Sequence, residues 1–273
     1  MEIVLTGTGS PLPDPHRAGP STLVKVGDTH ILVDAGRGTV MRLAAAGSLP
    51  AFLAAVLVTH LHSDHICALN DVITTHWVMT RAAVPLRVVG PVGTARFVER
   101  QLAALEDDIG YRIAHHRELE RGPWVEVTEL EPGESLEVGG VAVTTAATEH
   151  APVRPTIGFR LEHEGVGAAL VGDTLPCPGV DRLAAGADAY VQTVIRRDLV
   201  EASPIEMMRD ILDYHSGVVD AARTAARVGA RRLVLTHLVP APPPGEYEDW
   251  RALAAAHFDG EIVVGDDLTT ITL

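Results

Sequence analysis

The sequence predicts an α/β (α+β) protein, with sheets covered by helices. Three observations point there. Short β-branched runs alternate with Ala-rich helical stretches, strands come both in hairpins and between helices, and hydrophobic residues make up 47% of 273 positions, ample for a sizeable core. Along the first half, strand-like runs are Glu2–Leu5, Thr22–Val26, His30–Val33, Ala54–Thr59 and Leu86–Val89. Gly27-Asp28-Thr29 is a hairpin signal joining the second run to the third. Helical spacing is read at Thr39–Ala46, Asp64–Met79 and Thr94–Leu105. Arg112 to Gly122 is charged and reads as a solvated connection, and the acidic stretch Glu126 to Glu137 as a solvated loop or edge strand. In the second half the strand-like runs are Val141–Thr145, Thr156–Leu161, Ala168–Val171, Ala189–Val194, Arg232–Thr236 and Glu261–Val264. Helices are expected at Val180–Ala185, Val218–Val228 and Glu248–His257. Ala241-Pro242-Pro243-Pro244-Gly245 reads as a surface loop. No composition shift marks a boundary, so residues 1–273 are expected to form a single domain.

Composition excludes several classes of function. Lys and Arg total 22 and Asp and Glu 36, a net charge of −14. That disfavours broad nucleic-acid binding and leaves room only for a local basic patch. Aromatic residues make up 4% of the chain, which does not support a stacking platform for single strands. No basic, apolar leader opens the chain and no apolar run is long enough to span a bilayer. Two cysteines, Cys67 and Cys177, form no disulfide framework, and a cytoplasmic, membrane-free protein is expected. Cys67 is expected to be a buried thiol, and Trp77 and Met79 to lie on a core helix face.

The chemistry is concentrated in Thr59-His60-Leu61-His62-Ser63-Asp64-His65, at the end of an apolar strand and the start of a helical pattern. Burying that many polar groups side by side without partners costs several kcal/mol. A metal relieves the cost, since imidazole and carboxylate are ligands that Zn²⁺ accepts. Alternate residues His60 and His62 can face one ion, with Asp64 and His65 facing a second. Three further motifs follow strand-like runs: Glu149-His150, Gly172-Asp173-Thr174 and Thr236-His237.

This ordered set resembles the signature of the metallo-β-lactamase superfamily, as do the opening Leu5-Thr6-Gly7-Thr8-Gly9-Ser10 and the segment Leu32-Val33-Asp34-Ala35-Gly36. The resemblance spans essentially the whole chain. It implies a four-layer αβ/βα sandwich with the site at one edge of two sheets. It also implies that His60, His62 and His150 bind one metal, that Asp64, His65 and His237 bind another, and that Asp173 bridges them. Asp34 becomes a candidate for orienting a ligand histidine. Two Zn²⁺ ions are expected, with Mn²⁺ or iron as alternatives, activating a bridging hydroxide for hydrolysis. β-Lactam hydrolysis is not expected, and a di-iron redox role is disfavoured by His62, where that branch usually carries a glutamate.

Pro85 to Gly93 and Asp213-Tyr214-His215-Ser216 look most like the ribonuclease Z and arylsulfatase-like branch. By that resemblance His215 protonates the leaving group, so Asp64 and His215 are the catalytic candidates. Ser216 would cap the next helix. A homodimer is common in that branch. Two features depart from ribonuclease Z. Only 22 residues lie between His150 and Asp173, enough for two strands and a turn but not for a tRNA-gripping arm. The family's His-Glu-Ala-Thr motif, whose glutamate supports the acid histidine, is matched here by Val191-Gln192-Thr193-Val194. With the acidic charge, these features favour a small-molecule ester, lactone or phosphodiester as substrate. A tRNA 3′-processing endonuclease is the alternative, and a metal-stabilised binding protein without turnover is a third reading.

Overall fold

The structure is a computed structural model that describes residues 1–243 and 245–273. The first half contains β1 (Glu2–Gly7), β2 (Ser21–Val26), β3 (Thr29–Val33), α1 (Thr39–Ala45), β4 (Leu53–Leu57), α2 (Ser63–Ile66), α3 (Leu69–Thr80), β5 (Leu86–Gly90), α4 (Thr94–Ala104), α5 (Glu106–His115) and β6 (Val125–Glu129). The second contains β7 (Ser135–Val138), β8 (Val141–Ala147), β9 (Ile157–His163), β10 (Val166–Leu170), α6 (Pro178–Ala184), β11 (Ala189–Ile195), α7 (Arg197–Glu201), α8 (Glu206–Asp210), α9 (Val218–Val228), β12 (Arg232–Val239), α10 (Glu248–Ala255), β13 (Glu261–Val264) and β14 (Thr270–Thr272).

These strands make two seven-stranded sheets, in the orders β14-β1-β2-β3-β4-β5-β6 and β13-β12-β11-β10-β9-β8-β7. Each sheet is antiparallel on one side and parallel on the other: β3 to β6 run parallel in the first, and β10 to β13 in the second. Side chains alternate across a strand, and the pattern is plain in β3 and β4. Ile31, Val33, Ala55 and Leu57 face the other sheet, where they join Phe159, Leu170 and Val191. Leu32 and Val56 face outward to helix residues Leu43, Leu69 and Ile73. The outer face of the second sheet packs Tyr190, Leu233 and Leu235 on Val180, Ala221, Ala225 and Trp250. The result is the expected helix–sheet–sheet–helix sandwich. Open α/β sheets place their sites beyond the carboxyl ends of parallel strands, and both parallel halves end on the same edge here.

Several expectations are corrected. The expected helix Asp64–Met79 is broken at Cys67 and Ala68 into α2 and α3. Cys67 is exposed at that break, not buried. Trp77 is buried, whereas Met79 is 43% exposed. The charged segment beginning at Arg112 starts inside α5, a helix with no buried residue, so its polarity concealed it. The acidic stretch, as expected, supplies edge strands: β6 and β7 each close one sheet, where charge discourages pairing with other chains. Pro244, within the Pro-rich loop, lies outside the described residues. Residues 157–170 form the hairpin β9–β10, turning at Glu164 and Gly165, so the segment between His150 and Asp173 carries no long arm. Among the described residues, no helix is long and apolar enough to cross a membrane.

Candidate metal centre

The structure brings all seven predicted ligands and His215 to one edge of the sandwich. β4 ends at Leu57 and delivers His60 and His62; α2 carries Asp64 and His65; the turn after β8 holds His150. Asp173 follows β10, and His237 projects from β12. His237 has φ of 51°, the left-handed region that non-glycine residues occupy at a cost of order 1–3 kcal/mol. The neighbouring ladder shifts register between Thr193 and Ile195, which frees the strand to turn His237 toward the centre.

Asp173 is the hub. Its Oδ2 lies 3.3 Å from Nε2 of His65 and of His215, 3.7 Å from His237, 3.8 Å from His150 and 3.9 Å from His60. Asp64 Oδ2 lies 3.2 Å from His237 Nε2 and 3.7 Å from His65 Nε2. His62 Nδ1 faces His150 Nε2 at 3.2 Å. Two groups have donor atoms within 4.8 Å of one another: His60, His62, His150 and Asp173; and Asp64, His65 and His237. All are buried except His62, which is half-buried.

The surroundings set the tautomers. A backbone carbonyl or carboxylate can only accept, so the ring nitrogen facing it carries the proton. His150 Nδ1 donates to Tyr214 O at 2.8 Å, and His65 Nδ1 to Asp34 Oδ2 at 2.8 Å. Thr59 Oγ1 donates to the same Asp34 oxygen and so accepts from His60 Nδ1, at 3.0 Å. Asp34 therefore orients two histidines, one of them through Thr59. Each of these three rings turns its Nε2 to the cluster. His60 Nε2, His65 Nε2 and Asp173 Oδ1 are buried there without a hydrogen-bond partner.

That pattern fits a pair of divalent ions. Buried lone pairs without partners are costly, and a cation satisfies them. Two nitrogens bound at ~2.0–2.1 Å to a tetrahedral ion stand roughly 3.3–3.4 Å apart, close to the His62–His150 separation. The titration behaviour of the first group agrees. Burial, reinforced by neighbouring imidazoles, holds His60 well below its ordinary value. Burial likewise brings His150 down to about 4 and lowers His62. Burial would raise Asp173, but His237 and His65 outweigh it and hold the carboxyl well below its usual range. Burial opposes a charged His65, yet Asp173 and Asp34 raise it well above its ordinary value. The first group thus offers neutral imidazoles and the second pairs its imidazoles with carboxylates.

His215 lies beside this cluster. Its Nδ1 donates to Ile211 O at 3.1 Å and its Nε2 faces Asp173 Oδ2. A backbone carbonyl thus faces His215 where the resemblance leads one to expect a glutamate. Gln192 and Thr193 serve the backbone instead: Thr193 Oγ1 donates to Gly172 O at 2.9 Å, one residue before Asp173. Ser216 does not cap α9. Its hydroxyl donates to Thr174 O, and the Gly217 N–H is taken up by Asp220. Cys177 lies outside the ligand groups, with Sγ 3.8 Å from Ala147 O. Sequence reasoning missed Thr59 as a relay, the Tyr214 carbonyl, and an apolar wall of Leu12, Met207, Met208 and Ile211 beside the centre.

Residues 29–238 match the family model described as "Beta-lactamase superfamily domain". A ribonuclease Z of Mycobacterium bovis is 56% identical over 270 residues, covering 98% of this chain and 96% of that protein. Among solved structures, the metallo-beta-lactamase fold protein YhfI of Bacillus subtilis superposes with a TM-score of 0.75 at 20% identity, covering 99% and 98% of the two chains. The short form of human tRNase Z superposes with a TM-score of 0.73 at 21% identity, covering 100% and 99%.

Proposed function

The chain belongs to the β-lactamase superfamily and, within it, to the ribonuclease Z family; it is a metal-dependent hydrolase, and on that premise we propose that it cleaves precursor tRNA at its 3′ side. The match to the Mycobacterium bovis ribonuclease Z carries this reading. It covers nearly all of both chains, so a protein bearing that name has almost this chain's length. The short His150–Asp173 interval is therefore no argument against RNA, and the small-molecule ester or lactone gives way to the alternative. The cytoplasm, where such RNA is processed, is the compartment this reading implies.

His60, His62 and His150 would hold one ion and Asp64, His65 and His237 the other, with Asp173 between them. Zinc suits this set of nitrogen and oxygen donors. When bound, such ions lower the pKa of water from 15.7 towards ~7 and neutralise charge on an attacked phosphoryl group. The chain's own groups do the rest. Asp34, Thr59 and the Tyr214 carbonyl hold three imidazoles in one tautomer and orientation. His215, anchored through Nδ1, presents Nε2 beside Asp173, from where it hands a proton to the leaving oxygen. A panel of precursor tRNA, bis(p-nitrophenyl) phosphate, p-nitrophenyl esters and lactones tests the reading. Accurate tRNA cleavage by the metal-loaded protein is expected; turnover of an ester or lactone with intact tRNA would overturn it.

A further inference from the structure

A cavity of about 230 Å³ opens directly against the metal centre. Its floor is polar: His62, Asp64, Asp173, His215 and His237. Its walls are the opposite, formed by Leu12, Met207, Met208, Ile211, Tyr214 and Val239. The volume falls below the ~300–1,000 Å³ of sites that bury a drug-sized ligand, so it suits one ring system.

The wall is built, not incidental. Met208, Ile211 and Leu212 pack downward on Ile195, Val200 and Val239, and Arg209 ties the segment to Ser203 O at 2.7 Å. Fixed from below, the segment holds Met207 out at 73% exposure; across the cavity Leu12 is 53% exposed, on a loop held by Arg37 through Pro11 O. The Tyr214 ring lies 4.6 Å from the ring of His215 and 5.1 Å from that of His150. The apolar wall is thus continuous with the proton donor.

We propose that this slot receives the nucleobase of the nucleotide that carries the leaving oxygen, and so sets where the cut falls. The proposal rests on the RNA reading above. Unpaired RNA ends are recognised by bases turned out onto apolar and aromatic side chains. A base also tolerates the polarizable sulfur of methionine at its face and edge. The charge of −14 makes this grip more important here, because phosphate contacts add less to affinity on an acidic surface. Placing the base beside His215 brings its own sugar oxygen within reach of Nε2. Hydrolysis then breaks that oxygen's bond to phosphorus, the oxygen takes a proton, and the water oxygen stays on the phosphate.

The test uses precursor tRNA with the base intact or removed at each nucleotide flanking the cut, and the variant Leu12→Ser/Met207→Ser, both exposed positions. Base removal at the nucleotide that emerges with the free hydroxyl should lower kcat/KM about tenfold or more in the wild type, as for loss of one stacked base. Removal on the phosphate side should have little effect, and the variant should bring the intact-to-abasic ratio near one. An unchanged ratio in the variant overturns the slot. A second readout is independent of cleavage: the fluorescence of 2-aminopurine riboside 3′-phosphate should be quenched by metal-loaded wild type and not by the variant. Absence of quenching by the wild type overturns the slot whether or not tRNA is cut. Quenching without any tRNA cleavage leaves the slot standing and overturns the tRNA reading.

Discussion

Replacing Asp34 by Asn removes one charge and keeps the shape. Asp34 is 5% exposed and accepts three hydrogen bonds of 2.8 Å, from Thr59 N, Thr59 Oγ1 and His65 Nδ1. An asparagine oxygen can take over one side of this set, but its NH₂ then faces a donor on the other. With the amide oxygen in the Oδ2 place the Thr59 N–H is left without an acceptor, and with it in the Oδ1 place Thr59 Oγ1 and His65 Nδ1 both are, at a cost of about 1–3 kcal/mol per orphaned donor. Part of that cost falls on the candidate ligand imidazoles: in the second orientation His65 loses its anchor directly and His60 loses it through Thr59, and in the first both keep only a neutral acceptor where a carboxylate stood. At about 1.4 kcal/mol per tenfold, divalent-metal affinity should fall about 10- to 100-fold. Thr59→Val is the control, cutting the relay to His60 while leaving the His65–Asp34 bond, so one of the two sites weakens and the other does not. Competition for Zn²⁺ against a fluorescent chelator measures both. Asp34→Asn that folds normally and binds both ions within twofold of wild type would refute the relay.

His215→Ala should lower tRNA cleavage by about 10²–10⁴ in kcat with metal content unchanged, as loss of a proton donor does; metal analysis beside single-turnover rates checks it. Gly172 has φ of 65°, and a Cβ there would stand 2.8 Å from Thr59 Oγ1. Gly172→Ala should therefore cost at least roughly 1–2 kcal/mol in stability, from the left-handed backbone alone, and disturb the adjacent Asp173; Tm and metal affinity report both. His76 is buried in α3, and burial lowers its pKa below the usual histidine value. Its neutral form is favoured when folded, so its contribution is present above about pH 6.5 and lost as pH falls through the lowered folded value. Thermal melts between neutral and mildly acidic pH should show less acid destabilisation in His76→Leu than in wild type.

The parts of the molecule legible in sequence were those where one physical signal dominated. Buried β-branched runs announced the central strands, and Gly27-Asp28-Thr29 announced the β2–β3 hairpin, where Lys25 pairs with His30. The convergence of the seven candidate ligands was legible because costly polar residues followed strands in a recognisable order. Features resting on tertiary contact stayed hidden. The break between α2 and α3 at Cys67 and Ala68 is one: the Ala68 N–H donates to Ala35 O in the turn after β3, a long-range bond no local pattern encodes. Strand β14 is only Thr270–Thr272, too short to signal itself before pairing with β1. The Thr59 relay required knowing that Asp34, 25 residues away, lies under it. The apolar wall escaped notice because Met208, Ile211 and Leu212 span a short helix and a 3₁₀ turn, too brief for a helical period to register. Net charge weighs little for or against the RNA reading, since it averages over a whole surface of which a substrate meets only one edge.

Mapping the cut on a precursor tRNA is the most direct test of the central claim, using zinc-loaded wild type and Asp173→Asn side by side. The account predicts one cleavage at the 3′ side by the wild type, abolished by chelation and reduced at least a hundredfold in the variant, about the loss expected when charge stabilisation at the reacting centre is removed. Equal cleavage by both proteins, or cleavage that survives chelation, would contradict it.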